Sequence, residues 1–122
     1  MIHPLADCMN PNIPESTKVW QFTVVFPHCQ VGENCNFNAN VLVENDVVIG
    51  NNVTLKSGVQ IWDGITIEDD VFVGPNTSFA NNPHVRSKQY VEPVRTLLKK
   101  GCSIGSNATI LCGVTIGEYS FI

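Results

Sequence analysis

The residues of this chain that could do chemistry are concentrated between positions 81 and 100. His84 is the one histidine there, and its ordinary pKa of about 6.5 would suit a general base. Only Glu92 is acidic between positions 86 and 100, where five of the seven basic residues lie: Arg86, Lys88, Arg95, Lys99 and Lys100. A basic segment on an acidic chain indicates an anionic small ligand, such as a nucleotide diphosphate or coenzyme A. The alternative is a solvated loop, with His84 exposed and without a catalytic role.

A hexapeptide repeat must position this segment. An aliphatic or aromatic residue recurs every six positions from Val19 to Phe79 and again from Ile104 to Ile122, and the residue four places later is small or β-branched. Six residues hold one short strand and one corner, because β-branched residues favour strands and Gly-Asn combinations favour corners. Three such units close a triangular coil, and stacked coils bury their inward residues only against one another. The sequence therefore predicts an all-β, single-stranded parallel β-helix, a hexapeptide-repeat prism.

The repeat divides the single predicted domain, residues 1–122, into parts. Residues 1–18 contain Pro4, Pro11 and Pro14, which disfavour strand pairing, so this segment is expected to cap one end. Hexapeptide coils are predicted for residues 19–80 and 102–122, and an inserted loop for residues 81–101. Ile122 opens a new hexad, so we expect the stack to lack C-terminal coils or to be covered by another subunit.

A polar edge is predicted beside the insertion. Asp63 lies three hexads before Asn81 and shares its place in the hexad, and Glu118 is expected to follow them in the next coil. Neighbouring coils would place these side chains about 4.8 Å apart. Such an edge could hold a ligand that bears an amine and a phosphate, or it is an ordinary solvated corner. Trp62 is expected to point outward, where it could stack on a base or pack at a subunit interface.

Several classes of function are disfavoured. The formal charge of −4 argues against nucleic acid, and the five cysteines lack metal-ligand spacing. A zinc enzyme of β-helical fold would need three histidines, and His3, His28 and His84 share no column, so we expect no metal. No apolar stretch approaches membrane-spanning length and no leader is recognisable, so we expect no membrane partner. Unpaired core cysteines fit a reducing cytoplasm.

Several runs of the sequence carry a family resemblance. They are Val43–Gly50, Lys56–Gly64, Ile67–Pro75, the opening Ile2–Asp7, and Lys99–Leu111. These runs resemble the sugar-nucleotide N-acetyltransferases of the left-handed β-helix superfamily. They are most similar to the enzymes that acetylate dTDP-3-amino-3,6-dideoxyhexoses, and to the N-terminal part of bifunctional ketoisomerase/N-acetyltransferases. The resemblance implies a left-handed helix, a homotrimer, acetyl-CoA as co-substrate, a nucleotide-sugar acceptor and a role in cell-surface polysaccharide synthesis such as lipopolysaccharide.

The resemblance also implies roles for particular residues. Asn81 matches an asparagine of the sugar pocket, with Asn82 next to it where the family has aspartate, and Arg86 matches the arginine of the loop. Backbone N–H groups that could meet the pantetheine arm are expected at Gly101, Ser103 and Gly113, although glycine at a corner is commonly structural.

Departures from the family pattern leave an alternative open. The loop reads Phe79-Ala80-Asn81-Asn82 with Val85 before Arg86, Cys112 replaces the family's proline, and the Gly- and Ala-rich coils of the donor groove do not follow. The alternative is a non-catalytic or truncated trimeric scaffold, or a fragment of a bifunctional enzyme.

Overall fold

The computed structural model of the chain describes residues 1–84 and 86–122. Over these residues the fold is all-β and the strands are short. Nearly all of them contain two residues, as expected for a unit that must also turn a corner within six positions. In chain order the strands are β1 Asp7–Cys8, β2 Lys18–Val19, β3 Val24–Val25, β4 Gln30–Val31, β5 Asn36–Phe37, β6 Leu42–Val43, β7 Val48–Ile49, β8 Thr54–Leu55, β9 Gln60–Ile61, β10 Ile65–Ile67, β11 Phe72–Val73, β12 Ser78–Phe79, β13 Thr96–Leu98, β14 Ser103–Ile104, β15 Thr109–Ile110 and β16 Thr115–Ile116.

Three parallel sheets form the faces of a prism. Sheet A has the order β14-β11-β8-β5-β2, and sheet C has the order β16-β13-β10-β7-β4. Sheet B has the order β1-β3-β6-β9 and is continued by the pair β12-β15, whose first strand packs beside β9. Each coil contributes one strand to each sheet, so every sheet pairs residues of successive coils. The protein is a left-handed parallel β-helix, and the predicted fold class is confirmed.

The core is built from the two periodic series of the sequence. Most side chains at the first place of the hexads point inward and are buried, and Val25, Phe37, Leu55 and Ile61 are fully buried. The β-branched residues four places later are also inward, and Val59 is fully buried. The interior is a single column of apolar side chains along the axis, so neighbouring coils stabilise one another by the burial of this surface.

The corners carry the predicted asparagines. Asn34, Asn52 and Asn107 adopt left-handed φ angles of 57°, 58° and 60°, a conformation that asparagine tolerates better than most residues. The Nδ2 of Asn34 donates to Asn52 Oδ1 at 2.8 Å, and the Nδ2 of Asn52 donates to Asp70 Oδ1 at 3.0 Å. This ladder of side chains ties three successive corners together.

Strand pairing extends into the two segments that the sequence predicted as a cap and as a loop. Residues 1–18 do not only cap the stack: Ile2 bridges to Val19 and β1 pairs with β3, because the prolines fall outside the paired positions. The predicted loop 81–101 contains a strand, since β13 pairs in register with β10 and β16. Asn36 pairs with Thr54, eighteen positions later, but Phe72 pairs with Ser103, thirty-one positions later. The insertion therefore adds only thirteen residues to one coil.

Among the residues that the structure describes, no helix is long and apolar enough to cross a membrane.

Candidate functional site

The inserted loop leaves the prism at the edge where sheet B turns into sheet C, which we call the B–C corner. This corner consists of the turns at residues 26–28, 44–46, 62–64, 80–82 and 111–113, one for each coil from β3 onward. Because Phe79 pairs with Ile110 in sheet B, the residue that follows Asn81 in the corner column is Cys112. The column thus contains Asn45, Asp63, Asn81 and Cys112 in successive coils.

The predicted place of Glu118 in this column is wrong. Ile116 pairs with Leu98 in sheet C, so Glu118 lies at the next corner, where sheet C turns into sheet A. The error has the same origin as the loop boundary. The chain re-enters the prism at β13, one hexad before Ile104. Each later hexad therefore lies on the sheet that comes next in chain order after the sheet predicted from the sequence.

Asn81 and Asp63 do meet at the B–C corner, as the sequence predicted. The Nδ2 of Asn81 donates to the Asp63 carbonyl oxygen at 3.1 Å, and the Asn81 carbonyl oxygen accepts from Val94 N at 2.9 Å. Asn81 is half-buried, and within residues 1–84 and 86–122 its side-chain oxygen accepts no hydrogen bond. The corner therefore fixes the side chain through its donor and leaves an acceptor available.

The Asp63 carboxylate already accepts a main-chain hydrogen bond at the corner. Its Oδ1 accepts from Asp46 N at 2.7 Å, and the Asp63 N–H donates to Glu44 Oε1 at 2.8 Å. Two acidic side chains thus satisfy main-chain donors of the corner, which is a common use of such residues in turns. One oxygen of Asp63 has no such commitment among the described residues.

Trp62 lies differently from the outward orientation that the sequence predicted. It is half-buried, packs against the apolar core, and donates its indole N–H to the Phe79 carbonyl oxygen at 2.7 Å. Its single hydrogen-bond donor is therefore used within the corner, and only the exposed part of the ring could meet a ligand.

The outgoing part of the inserted loop is turned by Asn82. Its side-chain oxygen accepts from His84 N at 2.9 Å, a local turn that leaves the His84 side chain exposed. Arg86 and Lys88 are also exposed, and Lys88 adopts a left-handed φ of 58°. These two cations lie on the solvent side of the loop.

The returning part of the loop is held by an ion pair. Arg95 makes two hydrogen bonds to the Asp46 carboxylate, at 2.7 and 3.3 Å, and reaches it across Gly64, which lies between them in the same column. The hydrogen bonds and the charge of Asp46 raise the pKa of the Arg95 guanidinium above its ordinary value. The basic segment of the sequence predicted Arg95 to be a ligand-binding cation, and only the structure pairs it with Asp46.

A second local contact lies near the top of the loop. The Tyr90 hydroxyl donates to Glu92 Oε2 at 3.0 Å, and this bond, followed by the charge of Glu92, raises the pKa of the phenol. The Asp63 carboxylate adds a smaller effect in the same direction. The loop therefore brings the Tyr90 hydroxyl onto the Glu92 carboxylate, a contact that no pattern in the sequence signals.

The residues predicted to contact coenzyme A lie at three different places. Gly101 is at the corner between sheets C and A and its N–H donates to Asp69 O at 3.0 Å, while the Ser103 N–H, on β14, donates to Ser120 O at 2.8 Å. Gly113 is exposed at the B–C corner with a φ of 78°, and its N–H donates to no described residue. Of the three N–H groups, that of Gly113 is the one available to a ligand. The predicted donor contacts stay predictions.

A groove of about 410 Å³ lies on sheet C and contains Lys100 and Glu118. It is separate from Asn81. Four of the five basic residues of segment 86–100 therefore divide among three places: Arg86 and Lys88 lie on the loop, Arg95 in the ion pair with Asp46, and Lys100 in this groove.

Three cysteines, Cys29, Cys35 and Cys102, are buried in the core, and burial raises the pKa of each thiol. Over residues 1–84 and 86–122, no group of three or more histidine, cysteine, aspartate or glutamate side chains could hold a metal ion. The expectation of no metal stays a prediction.

Two stretches of the chain match models of known repeats. Residues 46–81 match the bacterial transferase hexapeptide (six repeats), and residues 100–122 match the hexapeptide repeat of succinyl-transferase. These matches support the predicted relation to the hexapeptide-repeat transferases. The closer relation to enzymes of dTDP-amino sugars stays a prediction.

No curated protein matches the chain. Among the solved structures that match is that of PerB from Caulobacter crescentus in complex with CoA and GDP-perosamine, with 16% sequence identity and a TM-score of 0.37. The match covers 81% of this chain and 47% of the PerB chain, so this chain spans about half the length of that protein.

Proposed function

We propose that this chain is an acetyl-CoA-dependent N-acetyltransferase that acts on the amino group of a nucleotide-linked amino sugar, of the dTDP-3-amino-3,6-dideoxyhexose type. The observation that carries the proposal is the Asn81 side chain. Its Nδ2 is fixed on Asp63 O at 3.1 Å and its oxygen is left as an acceptor beneath the inserted loop. The hexapeptide repeats of bacterial transferases support the reaction class.

The reaction requires a neutral amine and a thioester. The amine nitrogen attacks the acetyl carbon, the new C–N bond forms, the C–S bond breaks, and coenzyme A leaves as the thiol after it takes up a proton. The Asn81 oxygen would accept one N–H of the amine and so direct the nitrogen lone pair at the carbonyl carbon. An amide suits this task because it accepts a hydrogen bond without titrating. The gain in rate comes chiefly from positioning.

The proton lost by the ammonium intermediate needs an acceptor. His84 follows Asn82 on the loop, and the hydrogen bond from its N–H to Asn82 Oδ1 fixes its main chain near the corner. We assign it the role of general base, directly or through a water molecule, because a neutral imidazole accepts a proton near neutral pH. The uncommitted oxygen of Asp63 would hold the incoming ammonium before it loses its proton.

The anionic part of the substrate would lie along the loop. Arg86, with Lys88 beside it, could bind the two phosphates, since a guanidinium offers paired donors to phosphate oxygens. Asn82 and the exposed part of the Trp62 ring would contact the sugar and the base. Because the Trp62 indole N–H is bonded to Phe79 O, we expect contact through the ring rather than through a hydrogen bond.

The acetyl donor would approach from the next coil. The Gly113 N–H is free among the described residues and lies at the same corner, one coil beyond Asn81, so it is our candidate for the oxyanion donor. Because the N–H groups of Gly101 and Ser103 are already bonded within the prism, these residues would contact the pantetheine arm through their other atoms. We further propose a homotrimer in the cytoplasm, in which a neighbouring prism completes the donor groove, and a role in cell-surface polysaccharide synthesis.

The proposal is tested by the release of free thiol from acetyl-CoA. The purified chain is incubated with dTDP-3-amino-3,6-dideoxyhexoses, and the thiol is measured against time. Saturable release that depends on the amino group of the sugar supports the transferase. The matching 3-hydroxy sugar nucleotide is the control acceptor and should give none. No release by the folded protein with any amino sugar would favour the non-catalytic scaffold instead.

A further inference from the structure

A second cavity lies at another edge of the prism, where sheet A turns into sheet B. Its volume is about 260 Å³, and it is lined by Trp20, Gln21, Asn38, Ala39 and Ser57. These residues belong to three successive coils near the N-terminal end. The B–C corner with Asn81 lies across sheet B from them, so the two sites are distinct.

The aromatic wall of this cavity is held in place. The Trp20 indole N–H donates to Asn36 Oδ1 at 2.9 Å, and the Asn38 Nδ2 donates to the same oxygen at 3.3 Å. The His3 ring lies 6.5 Å from the Trp20 ring. One acceptor thus fixes the edge of the indole and the neighbouring amide together. The Trp20 side chain is nevertheless 37% exposed, so part of its ring is presented to solvent.

The floor of the cavity is a notch in the column of corner residues. Gln21, Ala39 and Ser57 occupy the same place in three successive coils, and the methyl group of Ala39 leaves space between two longer polar side chains. Gln21 and Ser57 are separated by two strand spacings, about 10 Å. Over residues 1–84 and 86–122, neither the Gln21 amide nor the Ser57 hydroxyl forms a side-chain hydrogen bond.

The lining contains an aromatic ring, two amides and a hydroxyl, and no charged side chain. This combination matches a neutral sugar ring, whose C–H face packs on an aromatic surface while its hydroxyl groups need donors and acceptors at the rim. A nucleotide or coenzyme A carries phosphates, which would find no cation among the lining residues. We propose that the cavity bounded by Trp20, Asn38 and Ser57 is a binding site for a neutral pyranose, such as a residue of a glycan.

The proposal is tested with neutral pyranosides and the intact chain. Methyl glucopyranosides and N-acetylglucosamine are added, and saturation transfer from the protein to the ring protons is followed by NMR. The open-chain polyol glucitol is the control ligand, because it has the hydroxyl groups without a rigid ring. We expect transfer to at least one pyranoside and none to glucitol.

Two variants locate the binding. Trp20→Ala removes the aromatic wall and should weaken binding roughly tenfold or more, since aromatic contacts rank among the larger contributors to recognition. Ala39→Leu fills the notch while Trp20 is retained, and it keeps the proposal testable if Trp20→Ala does not fold. Phe72→Ala is the matched control, because Phe72 is an aromatic of similar exposure, 39%, on sheet A outside the cavity. It should bind as the wild type does.

Other outcomes would overturn the proposal. Transfer that persists in folded Trp20→Ala and Ala39→Leu proteins would place the sugar elsewhere, and absence of transfer with every pyranoside would remove the site. Sedimentation of the same variants tests whether a second copy of the chain occupies the cavity instead. If Trp20→Ala changes the oligomeric state and leaves saturation transfer to the pyranosides unchanged, the cavity is an interface between copies. Asn81→Ala should leave pyranoside binding unchanged, so this test and the acetyl-transfer test fail independently.

Discussion

At the scale of single residues, polar side chains at the same place of the B–C corner make different hydrogen bonds. Asn45 and Asp63 use side-chain oxygens to accept main-chain N–H groups of the preceding turn, at 3.0 and 2.7 Å. Asn81 occupies the same place but is turned the other way, and donates to Asp63 O instead. The corresponding N–H of the preceding turn, that of Gly64, donates to Asp46 O at 2.8 Å instead, so the Asn81 side-chain oxygen has no partner among the described residues.

The first prediction compares two asparagines of this column. Asn81→Ala should lower kcat/KM for the amino sugar by about 10- to 100-fold, because the lost hydrogen bond to the reacting amine is worth about 1–3 kcal/mol. Asn45→Ala is the matched control, since Asn45 has the same place in the hexad but lies two coils away from the loop. It should keep wild-type turnover. Equal losses in both variants would point to the folding of the corner rather than to substrate contact.

At the scale of elements, the inserted loop is tied to the prism mainly at its return. Asn82 turns the outgoing chain, Val94 N bonds to Asn81 O, and Arg95 pairs with Asp46 across Gly64. Gly64 has a φ of 98°, and a Cβ there would lie 3.2 Å from Pro93 Cβ, so glycine allows the returning chain to approach closely. The loop is therefore closed at its base while its middle is exposed.

The second prediction concerns the ion pair at the base of the loop. Arg95→Ala should leave the urea concentration at the midpoint of unfolding close to the wild-type value, because both partners are exposed to solvent. It should nevertheless speed cleavage by chymotrypsin at Tyr90, which is 81% exposed, since the returning chain loses its anchor. Arg95→Lys keeps the charge but not the paired geometry and should cleave at an intermediate rate. Cleavage of Arg95→Ala at the wild-type rate would contradict an anchoring role.

At the scale of the whole molecule, stability depends on one continuous apolar column. Each coil buries its inward side chains only against its neighbours, so a defect in one coil exposes the next. Val71 illustrates this position: it is 1% exposed between the coils of Val53 and Cys102, which are both fully buried. Its neighbour Phe72 points outward from sheet A.

The third prediction tests the inward and outward assignment of these neighbours. Val71→Asp should cost several kcal/mol, because it buries a carboxylate among apolar side chains without a partner. Phe72→Asp is the matched control, since Phe72 is 39% exposed, and should cost much less. Urea unfolding of both variants, followed by circular dichroism, measures the difference. A Val71→Asp protein that unfolds at the wild-type urea concentration would show the assignment to be wrong.

The fourth prediction concerns alkaline pH. Burial raises the pKa of Cys29, Cys35 and Cys102 above the ordinary value of 9.0, so the folded state holds these thiol protons more tightly than the unfolded state does. Their contribution to stability is complete below pH 9.0 and is lost as the pH rises through the higher folded-state values. Urea unfolding at a series of pH values should show stability falling above this point. Replacing all three cysteines by alanine should reduce that slope, and an unchanged slope would assign it to other groups.

Counting in steps of six identifies most of the inward side chains in residues 19–80 and 102–122, because the hexad repeat distinguishes inward places from outward ones in these runs. It also determined the corner asparagines, and that Asp63 and Asn81 share a column, since these statements need only counting within an unbroken run. Only the tertiary structure shows at which corner Glu118 lies and that β13 pairs within sheet C. It alone also shows that the Trp62 indole N–H donates to Phe79 O. The physical reason is that all three faces of the prism have the same six-residue pattern. After an insertion that pattern still marks the inward side, but only hydrogen bonds between distant coils select the face on which the chain resumes.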